Sequence, residues 1–253
     1  MPEPTARAAR LCVLIDADNV PAHYANAIFE EIATLGEASV RRIYGDWSAQ
    51  RLGKWAEKVA MLGLVADQQF ANTKGKNASD IGLVISAMDF LHSGLFDGFV
   101  LVSSDSDFTR LAARIREQGL DVYGIGEKKT PEAFRMACKR FIYVENLGED
   151  TPEPAETAGG IPAMPRQSSE PSARGAKENP KSAIPLIVAA MRAIDVEGEW
   201  FNLGQVGQYI AQANPDFDVR SYGVSKFSDL VRKTDRFEVK RGQGTSLIVR
   251  DLA

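Results

Sequence analysis

The chain has 253 residues, 44% of them hydrophobic, which is enough for one good-sized core and a small second domain. Its net charge of −4 and pI near 5.4 exclude a global attraction to nucleic acid, so any such binding must be local. Two histidines, His23 and His92, are too few for a zinc site or a histidine-based triad, and Cys12 and Cys138 sit in apolar or amphipathic runs that suit reduced thiols in a cytoplasmic protein.

The start, Pro2 to Arg10, is polar, and the first apolar run is too short for a signal peptide or a membrane span. From Leu11 to about Leu147, apolar runs alternate with helical patterns. Strands are predicted over 11–16, 39–44, 64–70, 99–103, 120–125 and 141–144, and helices over 21–34, 49–62, 78–93, 106–118 and 131–138. Such alternation with short connections indicates an α/β fold with a mostly parallel sheet and right-handed crossovers.

The first predicted strand ends in Asp16-Ala17-Asp18-Asn19. In an open parallel sheet, acids at the carboxyl ends of strands share a crevice. Asp16 there can hold a cation, and Asn19 can orient Asp16 or touch a substrate; the plainer reading of such a motif is a helix cap. After the second strand come Tyr44, Trp47 and Trp55 with Arg41, Arg42, Arg51 and Lys54, a locally basic edge with aromatics. Aromatics of this kind can stack on bases, but packing of helix on sheet is the expected role of Trp55.

Lys74-Gly75-Lys76-Asn77-Ala78-Ser79-Asp80 leads the third helix. Its lysines can reach phosphates, and Asp80 in the first turn is favoured by the helix N-terminus. Asp89 lies two and a half turns on, faces away and is left out of the site. Next, Ser103-Ser104-Asp105-Ser106-Asp107 follows the fourth strand. Two acids at i and i+2 exceed what capping needs: Asp105 is read as a metal ligand, Asp107 as a second ligand or a water-positioning group, and Ser103 and Ser104 as donors to a phosphate or to the acids. Clustered carboxylates repel, and a divalent cation is the usual remedy. Lys128 and Lys129 add charge near the same rim.

From residue 148 to 181 the chain carries half of its twelve prolines and no aromatic residue, which reads as a disordered linker. Residues 182–253 form a second unit, with helices predicted over 184–194, 203–213 and 224–233. The pair Phe237–Lys240 and Ser246–Val249 flanks Arg241-Gly242-Gln243-Gly244 as a hairpin. Three helices and a hairpin suggest a winged helix, with Lys226, Arg232, Lys233, Arg236, Lys240 and Arg241 as a local basic surface, while Phe227 and Leu230 suit the core.

Three ordered motifs, IDADNV, KNASD and SSDSDF, make residues 1–147 resemble a NYN domain of the PIN-like nucleases. The resemblance implies a PIN-like parallel sheet flanked by helices and a Mg²⁺- or Mn²⁺-dependent ribonuclease. It places the family's acids on Asp16, Asp80, Asp105 and Asp107, with Asn19 beside them; Ser86 stands where many relatives carry a further Asp. Residues 182–253 resemble a LOTUS or OST-HTH domain, through Asp218-Val219-Arg220-Ser221-Tyr222-Gly223, Lys226-Phe227, Leu230 and the hairpin. That resemblance implies RNA, single-stranded or structured, as the partner, with Lys226 among the contacts. It admits a homodimer and involves no membrane. The expected mechanism is metal-assisted in-line hydrolysis leaving a 5′-phosphate and a 3′-hydroxyl, with the linker tethering the two units. Two alternatives stand beside it: a haloacid-dehalogenase-like phosphatase using Asp16 as nucleophile and Asp18 as acid–base, and a non-catalytic RNA-binding adaptor.

Overall fold

A computed structural model describes residues 7–48, 52–68, 78–148, 177–195, 198–242 and 244–253. Arg51, Lys74 and Lys76, three of the basic residues singled out above, lie outside the described residues, as does most of the expected linker.

The first unit is a six-stranded sheet whose described pairings are all parallel. In chain order its elements are β1 (Arg10–Asp16), α1 (Ala25–Leu35), β2 (Glu37–Gly45), α2 (Gly53–Met61), β3 (Val65–Gln68), α3 (Ala78–Ser93), β4 (Gly98–Val102), α4 (Thr109–Glu117), β5 (Asp121–Gly126), α5 (Glu132–Ala137) and β6 (Arg140–Tyr143). The strand order is β3-β2-β1-β4-β5-β6. The chain therefore winds outward from β1 in one direction and, after crossing with α3, from β4 in the other. The switch falls between β1 and β4, where open α/β sheets form their crevice.

β1 is buried on both faces, as a central strand of a doubly covered sheet must be. Leu11, Val13 and Ile15 pack with Ala25, Ile28 and Ile32 of α1 and Trp55 of α2. Cys12 and Leu14 pack on the other face with Leu83 and Ala87 of α3, Leu111 and Ile115 of α4 and Phe134 of α5. Trp55 is 2% exposed and donates its indole N–H to the Val20 carbonyl at 2.8 Å, so it packs helix on sheet. Arg42 pairs with Asp67 and lies over the Phe90 ring, and Arg41 caps the Ala38 and Leu62 carbonyls. Arg41 and Arg42 of the basic edge beside β2 are thus satisfied within the fold. The helices predicted over 21–34 and 106–118 each begin with a short 3-10 turn, at Ala22–Tyr24 and Ser106–Phe108.

The second unit contains α6 (Ile184–Ile194), β7 (Phe201–Asn202), α7 (Leu203–Ala213), α8 (Phe227–Lys233), β8 (Phe237–Arg241) and β9 (Leu247–Asp251). Its three strands form an antiparallel sheet in the order β7-β9-β8, completing a winged helix around a core that includes Ile187, Val206, Ile210, Leu230 and Val249. Leu230 is fully buried and Phe227 packs partly buried beside it. Ordered structure begins before the predicted start of this unit: Glu178 N–H donates to the Ser221 carbonyl at 2.8 Å, and Asn179 caps a 3-10 turn at Pro180–Ala183.

The winged helix docks on β6, an edge strand of the large sheet. Phe141 N–H donates to the Pro215 carbonyl at 2.8 Å, covering an edge that would otherwise expose ladder groups. Asp216 pairs with Arg135 and accepts from the Tyr143 hydroxyl at 2.8 Å, and Asn146 donates to Ser221 at 2.8 Å. Arg220 reaches Glu31 of α1 with two bonds, at 2.8 and 3.2 Å, while its other face holds Asp218. Burial opposes the Arg220 charge, yet its bonds to Asp218 and Glu31 raise its pKa above the ordinary value. The two units are therefore joined by direct contacts as well as by the connecting chain.

Arg220→Ala removes a bidentate, charge-assisted link, expected to cost about 1–2 kcal/mol. Amide exchange reads this directly: the Phe141 amide loses protection in the variant. Unchanged protection would show that the docking does not depend on this ion pair.

Candidate active site

β1 and β4 set the frame. Ile15 pairs with Val102 in parallel register, so Asp16 and Ser103 leave the sheet side by side. Asp16, the last residue of β1, is 1% exposed. Its Oδ1 accepts from the Asp18 backbone N–H at 3.1 Å, and its Oδ2 accepts from Asn19 Nδ2 at 2.6 Å and Ser103 Oγ at 2.9 Å. Burial raises the Asp16 pKa; the bonds from Asn19, Ser103 and Asp18 N–H oppose that, and the Asp18 charge adds to it.

Ser103 serves both motifs. Its hydroxyl donates to Asp16 and also accepts from the Asp105 N–H at 3.1 Å. Asp105 then caps the 3-10 turn, its Oδ1 accepting from the Asp107 N–H at 2.9 Å. Ser104 is buried, and its Oγ accepts from the Glu127 N–H at 2.9 Å, tying β4's exit to the loop after β5. Capping therefore exists at Asp105, as the plainer reading expected, but it uses one oxygen of one acid.

From the other wall, the first turn of α3 brings Asp80 to the same place. Asp80, Asp105 and Asp107 each offer a carboxylate oxygen, and these oxygens lie within 4.8 Å of one another. Asp16 is not in that triplet, though its charge acts on Asp80. Burial, followed by the charges of Asp16, Asp105, Asp107 and Asp18, pushes the Asp80 pKa up to about 6. Of the other expected site residues, Asn19 stands against Asp16, whereas Lys226 is an exposed residue at the start of α8 in the winged helix. Asp89 is exposed on α3, away from the triplet. Glu127 was not singled out from the sequence; its only signal is its position just past a buried strand.

The donor set fits a hard divalent cation. Three oxygens from carboxylates converge within one ion's reach, and the neighbouring negative charges add to the burial that raises the Asp80 pKa. No thiol or imidazole is among them, which fits Mg²⁺ or Mn²⁺ chemistry better than zinc.

The crowding has a measurable consequence. An acid whose folded pKa lies above its unfolded value binds more protons folded than unfolded between the two. Stability therefore falls as pH rises from about 3.8 to about 6, and the penalty persists above that window. The interval corresponds to about 3 kcal/mol, and solvent screening of a half-exposed side chain cuts this to about 1 kcal/mol. Asp80→Asn should therefore raise the metal-free melting temperature at pH 7 by about 2–4 °C and abolish the extra stabilisation that Mn²⁺ gives the native chain. A lower melting temperature for the variant in EDTA would contradict the crowding.

Comparison with known families agrees with this architecture. The NYN domain model matches residues 10–145, more than half of the chain. The chain belongs to the NYN family. An OST-HTH/LOTUS domain model matches residues 177–249 of this NYN protein, over the docked winged helix. NYN domains are PIN-like and nuclease-like in fold, and OST-HTH/LOTUS domains are generally RNA-binding. Among solved structures, a protein of unknown function from Vibrio parahaemolyticus is similar at 17% identity, over 55% of this chain and 94% of that one, with a TM-score of 0.48. An uncharacterized protein from Nitrosomonas europaea is 31% identical over 36% of this chain and 92% of its own, with a TM-score of 0.25. No curated protein matches. Among the described residues of this NYN protein, no helix is long and apolar enough to cross a membrane.

Proposed function

We propose that this NYN protein is a divalent-metal-dependent ribonuclease that hydrolyses RNA phosphodiester bonds, with its OST-HTH/LOTUS unit holding the RNA. The observation that carries the reading is the convergence of Asp80, Asp105 and Asp107 at the carboxyl end of the sheet, with oxygens within 4.8 Å. Asp16, Asp80, Asp105 and Asp107 would hold Mg²⁺ or Mn²⁺. When bound, such a cation supplies positive charge to the phosphate and lowers the pKa of a water. The protein's own groups do the positioning. Asn19 and Ser103 fix the Asp16 carboxylate from two sides, so its orientation is set before substrate arrives. The Asp107 N–H holds Asp105 by one oxygen and leaves the other to turn outward. Asn19, Ser103 and Ser104 contact the strand, Lys74 and Lys76, a few residues before α3 in sequence, take its phosphates, and Lys226 takes a phosphate on the winged helix.

The RNA need not be brought in by a free tether. The direct bonds of Arg220 to Glu31 and of Asp216 to Tyr143 favour a substrate that meets both units as one surface.

Labelled single-stranded RNA incubated with the whole chain tests the reading. Cleavage with Mn²⁺ or Mg²⁺, abolished by EDTA and restored by metal, is expected. RNA that is bound but stays intact across both metals would make the protein an RNA-binding adaptor instead.

A further inference from the structure

A cavity of about 380 Å³ opens on the α1/α2 side of the loop that carries Asp16. Asp18 and Asn19 line it, and both donate to the Asp16 carboxylate at the end of β1. Trp55, held by the bond to the Val20 carbonyl, and Leu52 line the cavity with little open surface, at 2% and 4% exposed. At its rim stand Lys54, from the first turn of α2, and Lys129, from the loop after β5. His23 and Glu127 complete the lining. Glu127 is paired with Lys129, and the His23 ring packs against Tyr24 with centroids 4.1 Å apart.

We infer that this cavity is a ribonucleotide subsite: it takes the nucleotide next to the cleaved bond, with its phosphate on Lys54 and Lys129. The volume lies in the roughly 300–1,000 Å³ range of small-molecule pockets. Two lysines lining one cavity suit an anionic phosphate, and the Trp55 and Leu52 edges leave a small apolar contact for the nucleoside it carries. The Glu127 carboxylate is an acceptor for a base amino group or a ribose hydroxyl, the group by which RNA is told from DNA. The two lysines also answer a physical need. A phosphate close to Asp16, Asp18, Asp80, Asp105 and Asp107 is repelled unless cations flank it. Lys54 and Lys129, which line the same cavity, provide these.

The inference rests on the ribonuclease reading for the strand itself, but its test needs no cleavage. Calorimetric titration of the whole chain with AMP, in EDTA, is expected to show one site, with Lys54→Gln and Lys129→Gln each weakening AMP about tenfold. Adenosine, lacking the phosphate, should bind about as weakly to the native chain as AMP does to those variants. Absent AMP binding, or AMP affinity indifferent to both lysines, would overturn the subsite. Intact AMP binding in a chain that never cleaves RNA would remove the ribonuclease reading and leave the subsite; cleavage without AMP binding would do the reverse.

Discussion

Asp105→Asn should slow Mn²⁺-dependent RNA cleavage by about 10²–10³-fold, the effect of several kcal/mol of lost charge stabilisation. The substitution isolates charge from structure. Asp105 caps the 3-10 turn through the Asp107 N–H, and asparagine caps such turns as well as aspartate does. The variant should fold with unchanged stability or gain a little, because one member of a crowded triplet is neutralised. Ser103→Ala should be milder, about tenfold to a hundredfold, since it removes one of the side-chain donors that orient Asp16 but none of the acids. Single-turnover cleavage at saturating Mn²⁺ separates the two. Equal rates for native chain and Asp105→Asn would mean that the triplet is not the seat of the chemistry.

Phe141→Ala should be strongly destabilising to the NYN unit, costing about 3–5 kcal/mol. Phe141 is 1% exposed in β6, and its ring meets Phe134 and Tyr143 edge-on at 5.9 and 5.5 Å. The neighbouring strand is shaped to receive it. A Cβ at Gly124 would come within 2.5 Å of the Phe141 ring, and one at Gly126 would meet the Ser103 carbonyl at 2.5 Å and the same ring at 3.0 Å. Both glycines leave room where a side chain would have to displace packed atoms. The alanine variant opens a cavity between sheet and helix, and the relaxation it invites lies beside Ser103, which orients Asp16. It also loosens the strand whose backbone carries the winged helix. Urea unfolding monitored by tryptophan fluorescence measures the cost. A loss below about 1 kcal/mol would show that the site collapses without strain and that Phe141 is not central to the packing.

Much of the NYN unit was legible because its signals are local. The buried runs at Leu11–Ile15 and Phe99–Val102 are continuous and apolar, and each ends in acids within two or three residues. A parallel sheet then brings those ends together, as the sequence logic expected, and the strand register sets Asp16 beside Ser103. Asp80 was placed by its position in a helical first turn, and the structure sets it beside Asp105 and Asp107. What sequence could not supply was which carboxylate touches which. Asp16 is held by three donors and stands outside the triplet, a distinction made by rotamers and loop geometry rather than by spacing.

Other misses have equally physical causes. β7 is two residues long, too short for any alternation to register. Ser104 was expected as a donor, and its hydroxyl oxygen also accepts from a backbone N–H in a loop 23 residues away, a bond no local pattern signals. The docking of the winged helix was invisible for a related reason. Glu31 and Arg220 are 189 residues apart, and a polar pair between units leaves no periodic trace in either. The proline-rich stretch between them reads naturally as a tether, yet its composition says nothing about whether the units it joins also touch.

The central claim is that side chains from α3 and from the turn after β4 build one cation site. Mn²⁺ soaked into crystals and located by anomalous scattering tests it most directly. The account predicts a peak bonded to Asp80, Asp105 and Asp107, with Asp16 facing it. Crystals at millimolar Mn²⁺ with those three carboxylates ordered and no peak among them would contradict it.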